Sequence, residues 1–381
     1  MNLSVATEIA AFVFLGLSAC GAVYSVMAAV ALWMFRRRPA ATPKTTPPVT
    51  VLRPLFGDEP ELYQNLVSVC CQTYQGSVQT ILGAKDPSDA ALSVAQRVRD
   101  DWPRHDIAVS SNPVLHGANR KISNLINLAA QAHGDVIIIA DSDVRFPPEG
   151  FNAIIAELEQ PGVGLVYCLY RGRPAASFWS SLAAMDINIR FAPSVVIGQA
   201  LGFNPCLGPT MAVRADVLRQ VGGLERLADV LADDYELGRA VRQAGYRVAC
   251  PSLVIDHVFS ERTFGEVFVH ELRWARTVRL VEPGGYFGSV ITHFLALGLI
   301  GAALTGFSAP ALAWLGGLVV FRLAQADILR RLIAADRRGL WLVPVRDLVS
   351  FVVFVFGTFG DRVQWRGIQS KVARDGTMGA A

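Results

Sequence analysis

Charged side chains are absent from residues 9–35 (IAAFVFLGLSACGAVYSVMAAVALWMF), a run longer than the roughly 20 residues a helix needs to cross bilayer hydrocarbon. No Lys or Arg precedes Arg36, whereas Arg36, Arg37 and Arg38 follow the run directly. A signal peptide would carry its positive charge ahead of its apolar core, so the run predicts a crossing with the N-terminus outside and everything after Arg36 in the cytosol. Apolar character returns at 288–308 and again at 309–329, where Arg322 and Asp327 stand near the far end. Two further crossings joined by FSAP would return RRLIAADRR (330–338) to the cytosol. The last apolar segment, LVSFVVFVFGTF (348–359), has 12 uncharged residues and follows Pro344, Arg346 and Asp347. It is short for a crossing. Arg330, Arg331, Arg337 and Arg338 precede it, and Arg362, Arg366, Lys371 and Arg374 follow it, so a re-entrant or interfacial segment satisfies the charge bias on both sides.

Between these regions the pattern shortens. TPKTTPPV (42–49) reads as a linker. VTVLRPL (49–55), QTILGAK (79–85), DIAVSS (106–111) and DVIIIAD (135–141) read as strands. PELYQNLVSVCCQ, DAALSVAQRVRDDW and NRKISNLINLAAQAH between them carry helical spacing. Strands alternating with helices predict an α/β, doubly wound, Rossmann-like parallel sheet, whose ligands bind beyond the carboxyl ends of the strands. The expected organisation is an N-terminal transmembrane helix and linker (1–48), a cytosolic catalytic domain (49–285), and a C-terminal membrane region with a basic tail (286–381).

Composition agrees. At 52% hydrophobic over 381 residues, the chain is too apolar for an ordinary soluble enzyme and long enough for one globular domain plus membrane segments. The 35 basic and 32 acidic residues nearly cancel, and no basic block alternates with aromatics, which argues against nucleic acid as a partner. Six cysteines form no C-x-x-C pair and have no zinc-type spacing to histidine. Free thiols in a reducing cytosol are the expectation.

Four constellations carry candidate chemistry. Asp86, in GAKDPSD, follows a strand, and an Asp-Pro turn explains it as well as a ligand contact does. Asp141 and Asp143 end VIIIA; a strand anchored by isoleucines would hold two repelling carboxylates toward one Mg²⁺ or Mn²⁺ whose shell is completed by phosphate oxygens. A solvated acidic turn is the competing reading. Asp233 and Asp234 open a helix, where they would either complement its dipole or supply a general base. The helix in SERTFGEVFVHELRWARTVRLVEP places Phe264, Val267, Phe268, Leu272, Ala275 and Val278 on one face, with Arg273, Arg276 and Arg279 elsewhere. Trp274 and the arginines suit a membrane interface; alternatively, Arg273 would pair with a diphosphate while Trp274 stacks on a sugar or acceptor.

Taken in order, Asp86, Asp141-Ser142-Asp143, Asp234 and HELRW resemble the D, D-x-D, [T/E/D]-D and [Q/R]-x-x-R-W motifs of GT-A fold glycosyltransferases of the family-two type. LRPLFGDEPELYQNL, HGANRKISNLINL, IADSDVRFPP, LADDYELG and HELRWARTVR are similar to the lipid-modifying branch containing ceramide glucosyltransferases and hopanoid-biosynthesis glycosyltransferases. The resemblance covers about residues 49–282 and the membrane layout. It implies that Asp86 contacts the uracil or ribose side of a UDP-sugar, that Asp141 and Asp143 meet a metal-diphosphate, and that Asp234 is the base, with Asp233 beside it in the substrate site. Arg273 and Trp274 would support diphosphate and acceptor. Asn119, Lys121 and Asn124 match a G-x-N-x-K-x-x-N stretch and would bind the donor, although Lys121 also fits a helix-surface charge. His270 departs from the Gln or Arg of the motif, which speaks against processive polymer synthesis.

The expected function is inverting transfer of a hexose or N-acetylhexosamine from a UDP-sugar to a hydroxyl of a membrane lipid, either ceramide or a bacteriohopanetetrol-type hopanoid. The expected location is a bacterial inner membrane. A prenyl-phosphate acceptor and a catalytically inactive lipid-binding scaffold are the alternatives.

Overall fold

The computed structural model describes residues 3–175, 177–360, 362–365, 368–372 and 376–380; Arg366 and Arg374 of the basic tail lie outside the described residues. The chain divides into two compact units, each assembled from separated stretches of sequence. Residues 49–285 contribute to both.

The first unit comprises residues 38–175, 204–260 and 368–381. Its main sheet is built on strands β1 (Val49–Pro54), β2 (Val78–Ala84), β3 (Asp106–Ser111) and β4 (Val136–Ala140). A smaller β5 (Val144–Arg145) follows, then β6 (Val163–Tyr167), β7 (Leu169–Pro174), β8 (Thr210–Arg214), β9 (Arg247–Ala249) and β10 (Val254–Phe259). The main sheet runs in the order β3-β2-β1-β4-β8-β6-β9. All residues of β1 and β4 are buried, as expected of parallel strands covered on both faces. Helices Leu62–Cys70, Ala90–Asp101 and Arg120–Ala129 make the crossovers. The chain steps outward from β1 to β3 and returns to β4 on the other side of β1, so the switch point lies between β1 and β4.

The sheet is mixed rather than parallel throughout. β8 runs antiparallel to both β4 and β6, with Ala140 opposite Thr210. Because antiparallel β8 begins where β4 ends, the residues just before it arrive beside Asp141. The Asp141 amide donates to the Pro209 carbonyl at 3.0 Å. A second sheet, β5-β10-β7, pairs His257 with Val144 and carries β10 past the D-x-D turn.

The second unit comprises residues 1–37, 176–203 and 261–367. Among the described residues, four of its helical segments are long and apolar enough to cross a membrane: Val5–Arg36, Pro283–Leu304, Ala309–Leu332 and Leu340–Gly357. The last of these contains the segment expected from its flanking charges to be re-entrant or interfacial; its helix begins before the 12 uncharged residues and takes in Pro344, Arg346 and Asp347, because proline is tolerated in its first turn and both charges have partners. Arg322 meets Asp347 through two hydrogen bonds of 2.7 and 2.8 Å and also donates to the Ile189 carbonyl. Arg346, fully buried, donates to Glu271, to the Leu182 carbonyl at 2.9 Å and to Ser350 at 2.7 Å. Ser350 donates in turn to Asp186, which also binds Arg190 at 2.5 Å. Asp186 immediately precedes a π-helical turn, Ile187–Phe191.

The helix Phe264–Val281 belongs to this unit. Arg279 donates to the Gly357 and Gly360 carbonyls, and Arg276 to that of Phe359 at 3.2 Å. Arg279 thereby serves an orphan carbonyl at the end of the last helix, and the other two bonds hold the residues just beyond it.

Candidate active site

The site residues of the first unit gather at the carboxyl ends of β1 and β4 and the start of β8. Arg53, at 0% exposed, reaches from β1 beneath the D-x-D turn and donates to the carbonyls of Asp141 (2.7 Å), Val144 (2.5 Å) and Asn65 (2.7 Å). Burial brings its guanidinium down to about 10, still charged at neutral pH, with Asp143 and Asp141 opposing the fall. This buried cation holds the turn's backbone so that the aspartates do not have to.

Lys121 projects from the first turn of the helix Arg120–Ala129 and places Nζ 2.7 Å from Asp141 Oδ1 and 3.8 Å from Asp233 Oδ2. Burial works against the ammonium, but Asp141 and Asp233 outweigh it and hold its pKa above the ordinary lysine range. It is therefore a largely buried, doubly paired cation and not a surface charge. Burial raises the Asp141 carboxyl; Lys121 pulls against this and Asp143 adds to it, leaving Asp141 above the usual range. Asp143 turns the other way, its Oδ2 lying 3.0 Å from His257 Nε2. His257 sits on β10 against the rings of Tyr170 and Phe259.

Asp233 and Asp234 are the first two residues of the helix Asp233–Gln243, whose N-cap is Ala232. Neither is the capping residue, although both are well placed for the helix dipole. Burial and the neighbouring Asp233 push Asp234 up to about 6, against opposing hydrogen bonds from the Tyr235 and Gly208 amides. Gly208 packs directly on this carboxylate: a Cβ there would lie 3.0 Å from Asp234 Oδ2. Gly208→Ala is accordingly expected to fold and to lose about tenfold in kcat by displacing the carboxylate, checked by steady-state kinetics beside a thermal melt.

Other predicted site residues have internal duties. Asn119 caps its helix by accepting from the Ile122 amide and donates to the Val230 carbonyl at 2.8 Å. Asn124 donates to the Gly83 carbonyl at 2.8 Å, tying the helix to β2. Asp86 is exposed beyond β2, where Ser88 supplies two hydrogen bonds that lower its pKa. His270, Arg273 and Trp274 lie on the helix Phe264–Val281 of the second unit.

Residues 13–378 match the sequence profile of Glycosyl transferase family 21. The chain belongs to glycosyl transferase family 21. Ceramide glucosyltransferase 1 of Caenorhabditis elegans is 25% identical to this family 21 chain over 210 residues, covering 54% of this chain and 44% of that protein. Ceramide glucosyltransferase of Gibberella zeae is 34% identical over 127 residues, 30% of this chain and 24% of that protein. Each match thus spans less than half of the relative's length. Among solved structures, a mannosyltransferase from Pyrobaculum calidifontis in complex with GDP-Man and Mn²⁺ superposes with a TM-score of 0.56 at 19% identity, over 93% of this chain and 99% of that one. That likeness establishes the GT-A fold, and the lipid-modifying resemblance read from the motifs is borne out by the family and these relatives.

Two residues of the candidate site have no obvious mark in the sequence. His257 is a single histidine in an apolar strand, and Gly208 one glycine among many. Their signal is the antiparallel course of β8 and β10, which sequence periodicity does not carry.

Proposed function

We propose that the chain transfers a hexose or N-acetylhexosamine from a UDP-sugar to a hydroxyl of a membrane lipid, with inversion at the anomeric carbon. The carrying observation is Asp234, a half-buried carboxylate whose pKa is pushed up to about 6 beside a cluster of opposite-signed groups suited to a diphosphate. Asp234 accepts the proton of the acceptor hydroxyl. Lys121 offsets the negative charge of Asp141 and Asp233 and is placed to meet charge developing on the leaving diphosphate.

The donor set fits Mg²⁺ or Mn²⁺. Among the described residues no three His, Cys, Asp or Glu side chains converge as a closed cage, and ions of this class commonly take one or two carboxylates and complete their shell with phosphate and water. Asp141 and Asp143 would hold it, with Lys121 beside the first and His257 beside the second; when bound, the ion supplies Lewis-acid stabilisation of the leaving diphosphate. Arg273 and Trp274 would support diphosphate and acceptor.

The names of the curated relatives favour ceramide as acceptor, while a bacteriohopanetetrol-type hopanoid presents the same chemistry, a hydroxylated head on an apolar body. Four apolar helices suit an acceptor that stays in the bilayer, and the charge bias around the first crossing favours a cytosolic site at a bacterial inner membrane. Membranes containing the chain, given a panel of UDP-sugars, Mg²⁺ or Mn²⁺ and either lipid, are expected to release UDP and yield one new glycolipid by mass spectrometry. Absence of metal-dependent product with every pairing would overturn the proposal.

A further inference from the structure

The last residues of the chain, which the sequence places in a basic tail on the membrane region, belong instead to the first unit. Thr377 faces Val230 in an antiparallel bridge. On either side of it, the Met378 amide donates to the Asp229 carbonyl at 2.8 Å, and the Leu231 amide donates to the Gly376 carbonyl at 3.1 Å. Gly376 has a φ of 84°, a left-handed backbone that glycine adopts without steric cost. The strand Met378–Ala380 is braced in turn by antiparallel pairing with Ile368–Val372.

The alternate backbone groups of the same segment go to the loop before Lys121. The Asn119 amide donates to the Ala228 carbonyl at 2.8 Å, and Asn119 Nδ2 donates to the Val230 carbonyl at 2.8 Å. The Ala118 amide donates to Asp229 Oδ1, also at 2.8 Å. Residues 228–231 are thus held by the Asn119 loop and by the tail, through different atoms. They lead directly into the helix Asp233–Gln243, whose N-cap, Ala232, makes no side-chain cap hydrogen bond. A helix start without a capping oxygen leaves its first amides unmet and its first turn loosely fixed. Asp233 and Asp234 occupy that turn, so the pairing of the residues leading into it bears directly on where their carboxylates sit.

We infer that Gly376–Met378 act as a positioning strap, pairing by backbone with Asp229–Leu231 to fix the first turn of the helix Asp233–Gln243 and with it the Asp234 carboxylate, a role that rests on the reading of Asp234 as the base of the transfer. Asn119 pins the Lys121 side without the tail's help, so the contribution of the strap falls on turnover and not on donor binding.

The test compares three variants of the full chain in membranes. Met378→Pro removes the amide that donates to Asp229, Gly376→Val strains the other end of the pairing, and Met378→Ala keeps every backbone donor. The first two are expected to lose about tenfold in kcat, as a displaced catalytic group does, with KM for the UDP-sugar within about twofold. Met378→Ala should stay within about twofold of wild type in both. Amide hydrogen exchange gives a readout that needs no turnover: residues 229–236 should exchange about tenfold or more faster in Met378→Pro than in Met378→Ala, with β1 and β4 unchanged. Equal exchange in those two variants overturns the inference, as does a Met378→Pro chain with wild-type kcat or a loss confined to KM. Faster exchange throughout β1 and β4 would make the tail a general stabiliser and overturn the positioning role too. A wild type that transfers nothing removes the functional reading and this role with it; a working wild type indifferent to Met378→Pro removes this role alone.

Discussion

Asp234→Asn is expected to lower kcat by about 10³-fold or more while leaving the chain folded and at least as heat-stable as wild type. The amide keeps the shape of the carboxylate but cannot take a proton. Its effect on stability follows from the raised pKa: a carboxyl whose folded pKa lies above its unfolded value is favoured protonated in the fold, so its ionised form destabilises the native state at neutral pH. Asn removes that penalty. The same shift fixes the pH dependence of the wild type. With Asp234 at about 6, the fraction of ionised base falls as pH drops through 6, so kcat/KM should decline about tenfold per pH unit below it. An ordinary aspartate would place that limb about two units lower. Stopped assays across pH with a thermal melt of each variant decide the matter: an Asn variant near wild-type activity, or one that fails to fold, refutes the assignment.

Arg346→Ala is expected to cost about 3–5 kcal/mol of stability, enough to remove most folded chain from detergent extracts. Its guanidinium is fully buried and serves Glu271, Ser350 and the Leu182 carbonyl, and lies 3.6 Å from Asp186. Without it, buried Asp186 and Glu271 lose a shared counter-charge. Burial opposes ionisation of Asp186, yet Arg190 and Arg346 hold its pKa below the usual carboxylate range. That contribution is complete at neutral pH and is lost as pH falls through the folded value. By contrast, replacing Arg322 and Asp347 together by Met and Leu should stay within about 1–2 kcal/mol of wild type, because no buried charge is left unpaired. Thermal melts in detergent separate the two. An Arg346→Ala protein that melts like wild type would show that the network is solvated.

The parts of this architecture that depend on neighbouring residues are legible in the sequence. VIIIA followed by Asp-Ser-Asp announces a buried strand with carboxylates at its end, and the crossover helices follow from their spacing. Order among motifs adds Asp234 and the HELRW helix. What periodicity does not encode is partnership over long separations. Lys121 reads equally as a donor contact or a helix-surface charge until Asp141 and Asp233 close on it. Asn119 and Asn124 read as donor contacts, and nothing in their spacing announces the bonds they make to Val230 and Gly83. The place of Arg346 and Asp347 inside a helix is hidden because their partners, Glu271, Asp186 and Arg322, lie at least 25 residues away in sequence.

The end of the last apolar helix has a consequence for how the protein sits in lipid. At 18 residues, Leu340–Gly357 is about 27 Å long, slightly less than the roughly 30 Å of hydrocarbon it would face. A helix normally has to emerge into water so that its final carbonyls are hydrated, and a thicker bilayer would strand them. Here Arg279 supplies that hydration substitute at the Gly357 carbonyl from within the protein. The terminus can stop below the headgroups, which makes this helix tolerant of membrane thickness where an uncapped one of the same length would not be.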